Sequence, residues 1–532
     1  MTFVEQSPFW TLLEKFGNAP ALVTADRSMS FAELAEEADR LAAEFTAQAG
    51  RDGRLLIAVV MSPQVHVIAA YLGALRAGHV VLLSDESILS KDSQIAQRFE
   101  FDLRISGDAR GLTLAPHPKS PLPGVELHPD LALLLSTSGS TGDPKLVRLS
   151  ATAVQSNAAS IVEYLGVRPD SRAITTLPLF YSYGMSVLHS QLTAGGALIL
   201  TDASVTDPAF WQLARDHGAT SLALVPHQVE LIARSPMSSY PLPGLRYVTQ
   251  AGGRLPPDQV CTMAKLGQKS GWNFFVMYGQ TEAAPRISYV PPDRLLGAAG
   301  TIGKAIPGGH LEIRTDKGQR VSAVGQPGEL IYSGPNVMMG YASAPAELSH
   351  GNETPELATG DLAEWTEDGF VRIVGRLKRF VKLYGMRISL DQIEAHLASH
   401  GISAHAVGND SVLVLFVDPQ IKDQKAADLV ADLIEVPVND IVVRPLAQTP
   451  LLASGKIDYR GLDTLAANVL AEEAVASTSK KLDLREVMAH ATRSRTISDD
   501  NSFNDLGGDS LGFLQVTMAI EARLGYVPDD WE

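Results

Sequence analysis

Leu55-Leu56-Ile57-Ala58-Val59-Val60 is an unbroken apolar run of the length and composition of a strand buried on both faces. Val65 to Arg76 follows with helix-like spacing, and His79 to Leu83 is strand-like again. The texture recurs at Ile174–Leu177, Ala197–Leu200 and Ser221–Val225, with intervals long enough for helices. Strands alternating with helices predict an α/β architecture with largely parallel sheets.

From about Gly297 the pattern shifts. Short strands at His310–Thr315, Gly328–Ser333 and Phe370–Val374 are punctuated by Gly and Pro, as in a small β-rich subdomain. Arg376-Leu377-Lys378-Arg379 marks a boundary, and a second mixed segment runs to about Leu465. The Ala-, Glu-, Ser- and Thr-rich stretch from Leu470 to Lys480 reads as a linker, and Leu482 to Glu532 as mainly helical. The expected units are residues 1–376, 377–468, a linker 469–481, and 482–532.

Composition bounds the function. The chain has 532 residues, 45 % apolar and 20 % charged, enough to bury several cores. Its formal net charge of −16 disfavours a nucleic-acid-coating protein, which needs Lys and Arg to neutralise phosphates. One local pocket can still be positive enough for ATP. The single cysteine, Cys261, permits neither a disulfide framework nor a cysteine metal site within the chain. The most apolar stretch, Leu55 to Leu83, is broken by Ser62-Pro63-Gln64, His66, Arg76 and His79, so no membrane span is expected. Met1 to Glu5 shows no signal-peptide pattern, which makes cytoplasm the default expectation.

Several short stretches carry chemistry. In Leu134-Leu135-Ser136-Thr137-Ser138-Gly139-Ser140-Thr141-Gly142-Asp143-Pro144-Lys145 an apolar run ends in hydroxyls and glycines closed by a lysine. Glycines let backbone N–H groups approach phosphate oxygens, hydroxyls donate, and the lysine neutralises charge. It lacks the Gly-Lys-Ser/Thr of a Walker loop, and a plain surface loop is the competing reading. Met277-Tyr278-Gly279-Gln280-Thr281-Glu282 offers an aromatic ring for a purine and a carboxylate for Mg²⁺. Thr359-Gly360-Asp361 and Gly375-Arg376 offer a carboxylate and a donor for ribose hydroxyls, and Ser454-Gly455-Lys456-Ile457-Asp458 a lysine that can swing into a site. Alone, the 136–145 loop is as readily a surface loop, the Asp361 and Arg376 pieces read first as a turn and a solvated basic patch, and the Lys456 stretch says almost nothing.

Their order is informative. Together with Thr176-Leu177-Pro178-Leu179-Phe180, Gly252-Gly253, Gly328-Glu329-Leu330, Gly340-Tyr341 and Val381 to Ile388, they resemble the adenylate-forming superfamily over about residues 5–465. That superfamily contains acyl-CoA synthetases, aryl-acid ligases, firefly luciferases and the adenylation domains of nonribosomal peptide synthetases. Asp505-Leu506-Gly507-Gly508-Asp509-Ser510-Leu511 resembles the attachment site of an acyl or peptidyl carrier protein. There a serine at a helix start bears 4′-phosphopantetheine, and a helix N-terminus favours its phosphate. The chain stops at Trp531-Glu532, before the usual fourth carrier helix, so an incomplete carrier is expected.

The resemblance implies an α/β multidomain fold. Its large N-terminal domain would hold two α/β sheet subdomains and a small β-rich one, followed by a small mobile α+β domain and a helical carrier. It implies that a carboxylate attacks the α-phosphate of ATP and that a thiolate then takes the acyl group. In these roles Tyr278, beside Gly279, stacks on adenine, and Asp361 holds the ribose with help from Arg376. Thr281 touches the α-phosphate and Glu282 ligates Mg²⁺. Ser136, Thr137, Ser138, Gly139, Ser140, Thr141, Gly142 and Lys145 hold the β- and γ-phosphates. Gly252 and Gly253 belong to the nucleotide site, and Lys456 bridges carboxylate and phosphate. For the second step the C-terminal domain would turn about Lys378 and present the loop at Gly385. Ser510 would carry the arm, attached by a phosphopantetheinyl transferase, and a downstream enzyme or domain would take the acyl group.

The pocket offers one clue to the acid. Amino-acid-activating relatives carry an aspartate where this chain aligns Ser182, and Phe180 to Ser186 contains no acid. An unpaired buried ammonium is costly, so a substrate without an α-ammonium is expected. Tyr181 is read either as a gate to the acyl tunnel or as a packed core ring. Val225 is expected to line the pocket, and His227 to be a wall or core residue rather than a base. The main expectation is a ligase loading its own carrier. A ligase using free CoA and a non-catalytic nucleotide-binding module are the alternatives.

Overall fold

The computed structural model describes residues 7–49, 53–117, 126–137, 145–234, 241–377, 379–383, 386–409, 412–434, 436, 438–452, 455, 457–479 and 516–517. Strand Leu56–Val60, helix Val65–Arg76 and strand Val80–Ser84 form the expected unit, with the two strands parallel from Leu56↔Val80 to Val60↔Ser84. The helix buries every residue from Val67 to Leu75 because it is wedged between the sheet and a second helix, Phe31–Ala49.

Two large sheets dominate the described residues. A seven-stranded sheet has Leu131–Thr137, Val80–Ser84, Leu56–Val60 and Leu103–Asp108 as its parallel centre and antiparallel strands at both edges. A nine-stranded sheet is parallel from Asn273–Gly279 through Tyr247–Gln250, Ser221–Leu224, Arg172–Ile174 and Ala197–Ile199 to Pro20–Val23. The third, four-stranded sheet is antiparallel and contains His310–Arg314, Gly328–Ser333, Leu357–Trp365 and Val371–Arg376. It is the β-rich part that the Gly/Pro punctuation predicts.

The C-terminal segment has a core of its own, drawn from Val381 to Val443. Arg379, next to the boundary, anchors to it. Its guanidinium bonds Glu394 at 2.7 Å, pairs with Asp391, and lies 3.8 Å from the centre of the Tyr459 ring.

The segment read as a linker from residue 469 continues the helix Tyr459–Ser479. Leu470-Ala471-Glu472-Glu473-Ala474-Val475-Ala476 is built of good helix formers with neither Gly nor Pro, so the helix begun on the C-terminal core has no local reason to stop. Leu462 and Ala466 seat its first turns on Val407, Val414 and Phe416. The expected helical carrier lies outside the described residues except for Val516 and Thr517.

Candidate active site

Binding sites of open α/β sheets lie beyond the carboxyl ends of parallel strands. That is where the candidate residues collect. Strand Asn273–Gly279 ends in Tyr278 and Gly279; Tyr247–Gln250 runs into Gly252-Gly253; Ser221–Leu224 runs into Val225; and Leu131–Thr137 ends in Ser136 and Thr137. The main chain is tight here. A Cβ on Gly279 would stand 1.8 Å from the Pro285 carbonyl oxygen, so only glycine fits beside Tyr278.

On one side lies a carboxylate with three protein donors. Asp361, 3 % exposed, accepts from the Tyr278 hydroxyl and from Gln280 Nε2 at 3.3 Å on one oxygen, and from Arg376 Nε at 3.0 Å on the other. Strand pairing sets Asp361 opposite Arg376. Burial, then the Asp361 charge, push the Tyr278 phenol well above its ordinary range, so it stays a donor. The half-buried Tyr278 ring and the Asp361–Arg376 pair form one wall suited to a nucleoside.

On the other side Glu282 accepts a 2.8 Å hydrogen bond from the Tyr341 hydroxyl. Lys145 Nζ lies 5.6 Å from the centre of the Tyr341 ring, and Tyr341 is held by strand Gly340–Ala342 against Lys145–Ser150. Carboxylate and lysine therefore face the same small region. No cluster of three metal-ligating side chains exists among the described residues. A lone carboxylate beside phosphates suits Mg²⁺, which keeps waters and takes few protein ligands. Glu282 would hold it, and the ion would neutralise phosphate charge.

Between the two sides sits Thr281, whose hydroxyl is 3.3 Å from that of Ser182. Ser182 opens the helix Ser182–Ala194 and is buried, so this hydroxyl pair lies at a helix N-terminus, where negative charge is favoured. Tyr181 caps that helix, half-buried, with its hydroxyl where a Cβ on Gly252 would stand 2.6 Å away. Burial pushes its phenol up to about 12. Val225 is fixed by Gln228, whose side chain accepts from Val225 N at 3.1 Å and donates to the Thr176 carbonyl at 2.8 Å. His227 is exposed, so it is no core residue. Gly253 is exposed beside Pro226.

The C-terminal domain reaches this cleft. A Cβ on Gly455 would stand 3.0 Å from Val225 Cγ2, so Gly455 abuts a residue expected to line the acid pocket. Lys456 itself, Ser138 to Gly142, Lys378, Gly385 and Ser510 lie outside the described residues.

One residue escapes sequence reasoning. Arg286, 3 % exposed, lies on the strand that pairs with Asn273–Gly279. A charged residue after Ala283-Ala284-Pro285 and before Ile287 was the available signal, but nothing local says which way it points.

Two family models match the chain. The model of the family described as AMP-binding enzyme matches residues 9–100 and 81–342, and that of the phosphopantetheine attachment site matches 482–530. The chain belongs to the AMP-binding enzyme family. This AMP-binding enzyme is an adenylate-forming ligase with a C-terminal phosphopantetheine attachment domain, in the manner of nonribosomal peptide synthetases. It is 27 % identical to tyrocidine synthase 2 of Brevibacillus parabrevis over 97 % of its own length and 15 % of that protein. It is 30 % identical to the oxalate–CoA ligase of Arabidopsis thaliana over 51 % of its length and 53 % of that enzyme. The chain thus spans 7–55 % of the length of such curated relatives. The AMP-binding enzyme also shares its fold with the amide bond synthetase McbA from Marinactinospora thermotolerans. That likeness has a TM-score of 0.69 at 21 % identity and covers 86 % of this chain and 99 % of that one. ATP-bound MatB from Rhodopseudomonas palustris gives 0.68 at 23 %, over 85 % and 98 %. No helix among the described residues is long and apolar enough to cross a membrane.

Proposed function

We propose that this protein activates a carboxylic acid as its acyl-adenylate, using ATP, and passes the acyl group to the phosphopantetheine thiol on Ser510. The observation that carries the reading is the Ser182–Thr281 contact. It joins the acid pocket to a turn flanked by the Asp361–Arg376 pair and by Glu282 with Lys145. The substrate carboxylate would approach the α-phosphate there, with the nucleoside on Tyr278 and Asp361. Charge grows on phosphate oxygens as pyrophosphate leaves, so the work is positioning and electrostatic stabilisation. Lys456 would bridge the reacting groups from the loop beside Val225. The thiol then attacks the adenylate carbonyl and AMP leaves.

The boundary is assigned near residue 377, where the separate C-terminal core begins, with Lys378 as hinge and the Gly385 loop serving the second step. The absence of an acid from Phe180 to Ser186 supports a substrate without an α-ammonium. ATP–pyrophosphate exchange over a broad acid panel tests the adenylation. Exchange is expected, falling about 10²–10³-fold in Lys456→Ala. Unchanged exchange in that variant would remove Lys456 from the chemistry.

A further inference from the structure

Arg286 has no use in the mechanism above. Its guanidinium is buried, lies 4.2 Å from the centre of the Tyr183 ring, and leaves Nε without a hydrogen-bond partner. No carboxylate pairs with it among the described residues. It faces a cavity of about 20 Å³ whose walls include Tyr183, Ser186, Ser190, Tyr247 and Thr249 and contain no acidic residue. A cation sealed from water needs a counter-charge, and a tyrosine face supplies only a fraction of one.

The cavity shares an apolar wall with the expected acid pocket. Tyr183, Ala223, Tyr247 and Met277 of its wall pack in one apolar cluster with Val225 and Tyr181. Tyr183 also follows Ser182, the residue that touches Thr281. A substrate whose reacting carboxylate lies at Ser182 and Thr281 would therefore extend its other end toward Arg286. The space there admits about one small polar group, not a long chain. Hydroxyls surround it, and Arg presents a planar fork matched to a carboxylate.

We propose that the acid activated here is a compact dicarboxylic acid whose second carboxylate is received by Arg286. This rests on the adenylation reading and names its substrate class. The same cation would repel an ammonium, in line with the missing acid at Ser182.

The test compares dicarboxylic acids of three to six carbons with monocarboxylic acids of equal length, using the full chain. Pyrophosphate exchange is read in wild type, Arg286→Met and Arg286→Lys, with ligand-induced thermal shift alongside. The wild type is expected to favour a diacid by about 100-fold or more in kcat/KM. Arg286→Met should bring that ratio to within about tenfold, mainly through KM, while Arg286→Lys keeps part of it. Equal or better exchange with monoacids would overturn the proposal and leave adenylation standing. An unchanged preference in Arg286→Met would overturn it too. A diacid thermal shift that depends on Arg286, with no exchange from any acid, would support the site and contradict the adenylation reading. Neither shift nor exchange with any diacid would overturn the proposal.

Discussion

At the scale of single residues, Asp361 is the centre of the proposed nucleotide site. Both its oxygens already accept from Tyr278, Gln280 and Arg376, so its position is fixed before any ribose arrives. Asp361→Asn keeps the shape and removes the charge. The variant should raise KM for ATP about 10- to 100-fold, the worth of charge-assisted hydrogen bonds, with little change in melting temperature. Steady-state exchange at varied ATP measures it; an unchanged KM would move the ribose elsewhere. The motif residues stand out in sequence because their types are scarce and their order is distinctive, and of them Tyr278, Asp361 and Arg376 lie together in the structure. Arg286 does not stand out, since its meaning lies in burial without a partner, which only packing reveals.

At the scale of elements, sequence pattern located the strands and helices well where the chain is apolar on both faces. Val65 to Arg76 is the helix its spacing predicts, and Gly328–Ser333 the strand. The helix over 459–479 was missed because a surface-like composition, rich in Ala and Glu, resembles a linker as much as a helix. One pH-sensitive joint lies between elements. His79, 1 % exposed, precedes strand Val80–Ser84, and its Nδ1 accepts the Leu55 N–H at 3.2 Å. Burial, then the nearby Arg54 charge, lower its pKa from 6.5 to about 4. The folded state holds the ring neutral while the unfolded chain takes up its proton first as pH falls. Stability from this joint is thus full above about pH 6.5 and declines toward pH 4. Chemical denaturation of wild type and His79→Gln should show their stability difference shift against the wild type over that interval. A difference independent of pH would mean that His79 titrates normally.

At the scale of the whole molecule, two large sheets, an antiparallel sheet and a separately cored C-terminal domain converge on one cleft. Gly455 against Val225 places the C-terminal domain over the acid pocket, the arrangement suited to the first half-reaction. Thioester formation would need that loop to leave, since a thiol must reach the same carbonyl. The antiparallel sheet after Gly297 was legible from its Gly and Pro punctuation, whereas the docking of Gly455 on Val225 was not, because it joins residues far apart in the chain. The most direct measurement is the intact mass of the phosphopantetheinylated chain after incubation with ATP, Mg²⁺ and an acid active in exchange. A gain equal to the acyl group is expected on wild type and none on Ser510→Ala, whose exchange activity should persist. An unchanged wild-type mass, with acyl-CoA forming when free CoA is supplied, would contradict loading of its own carrier.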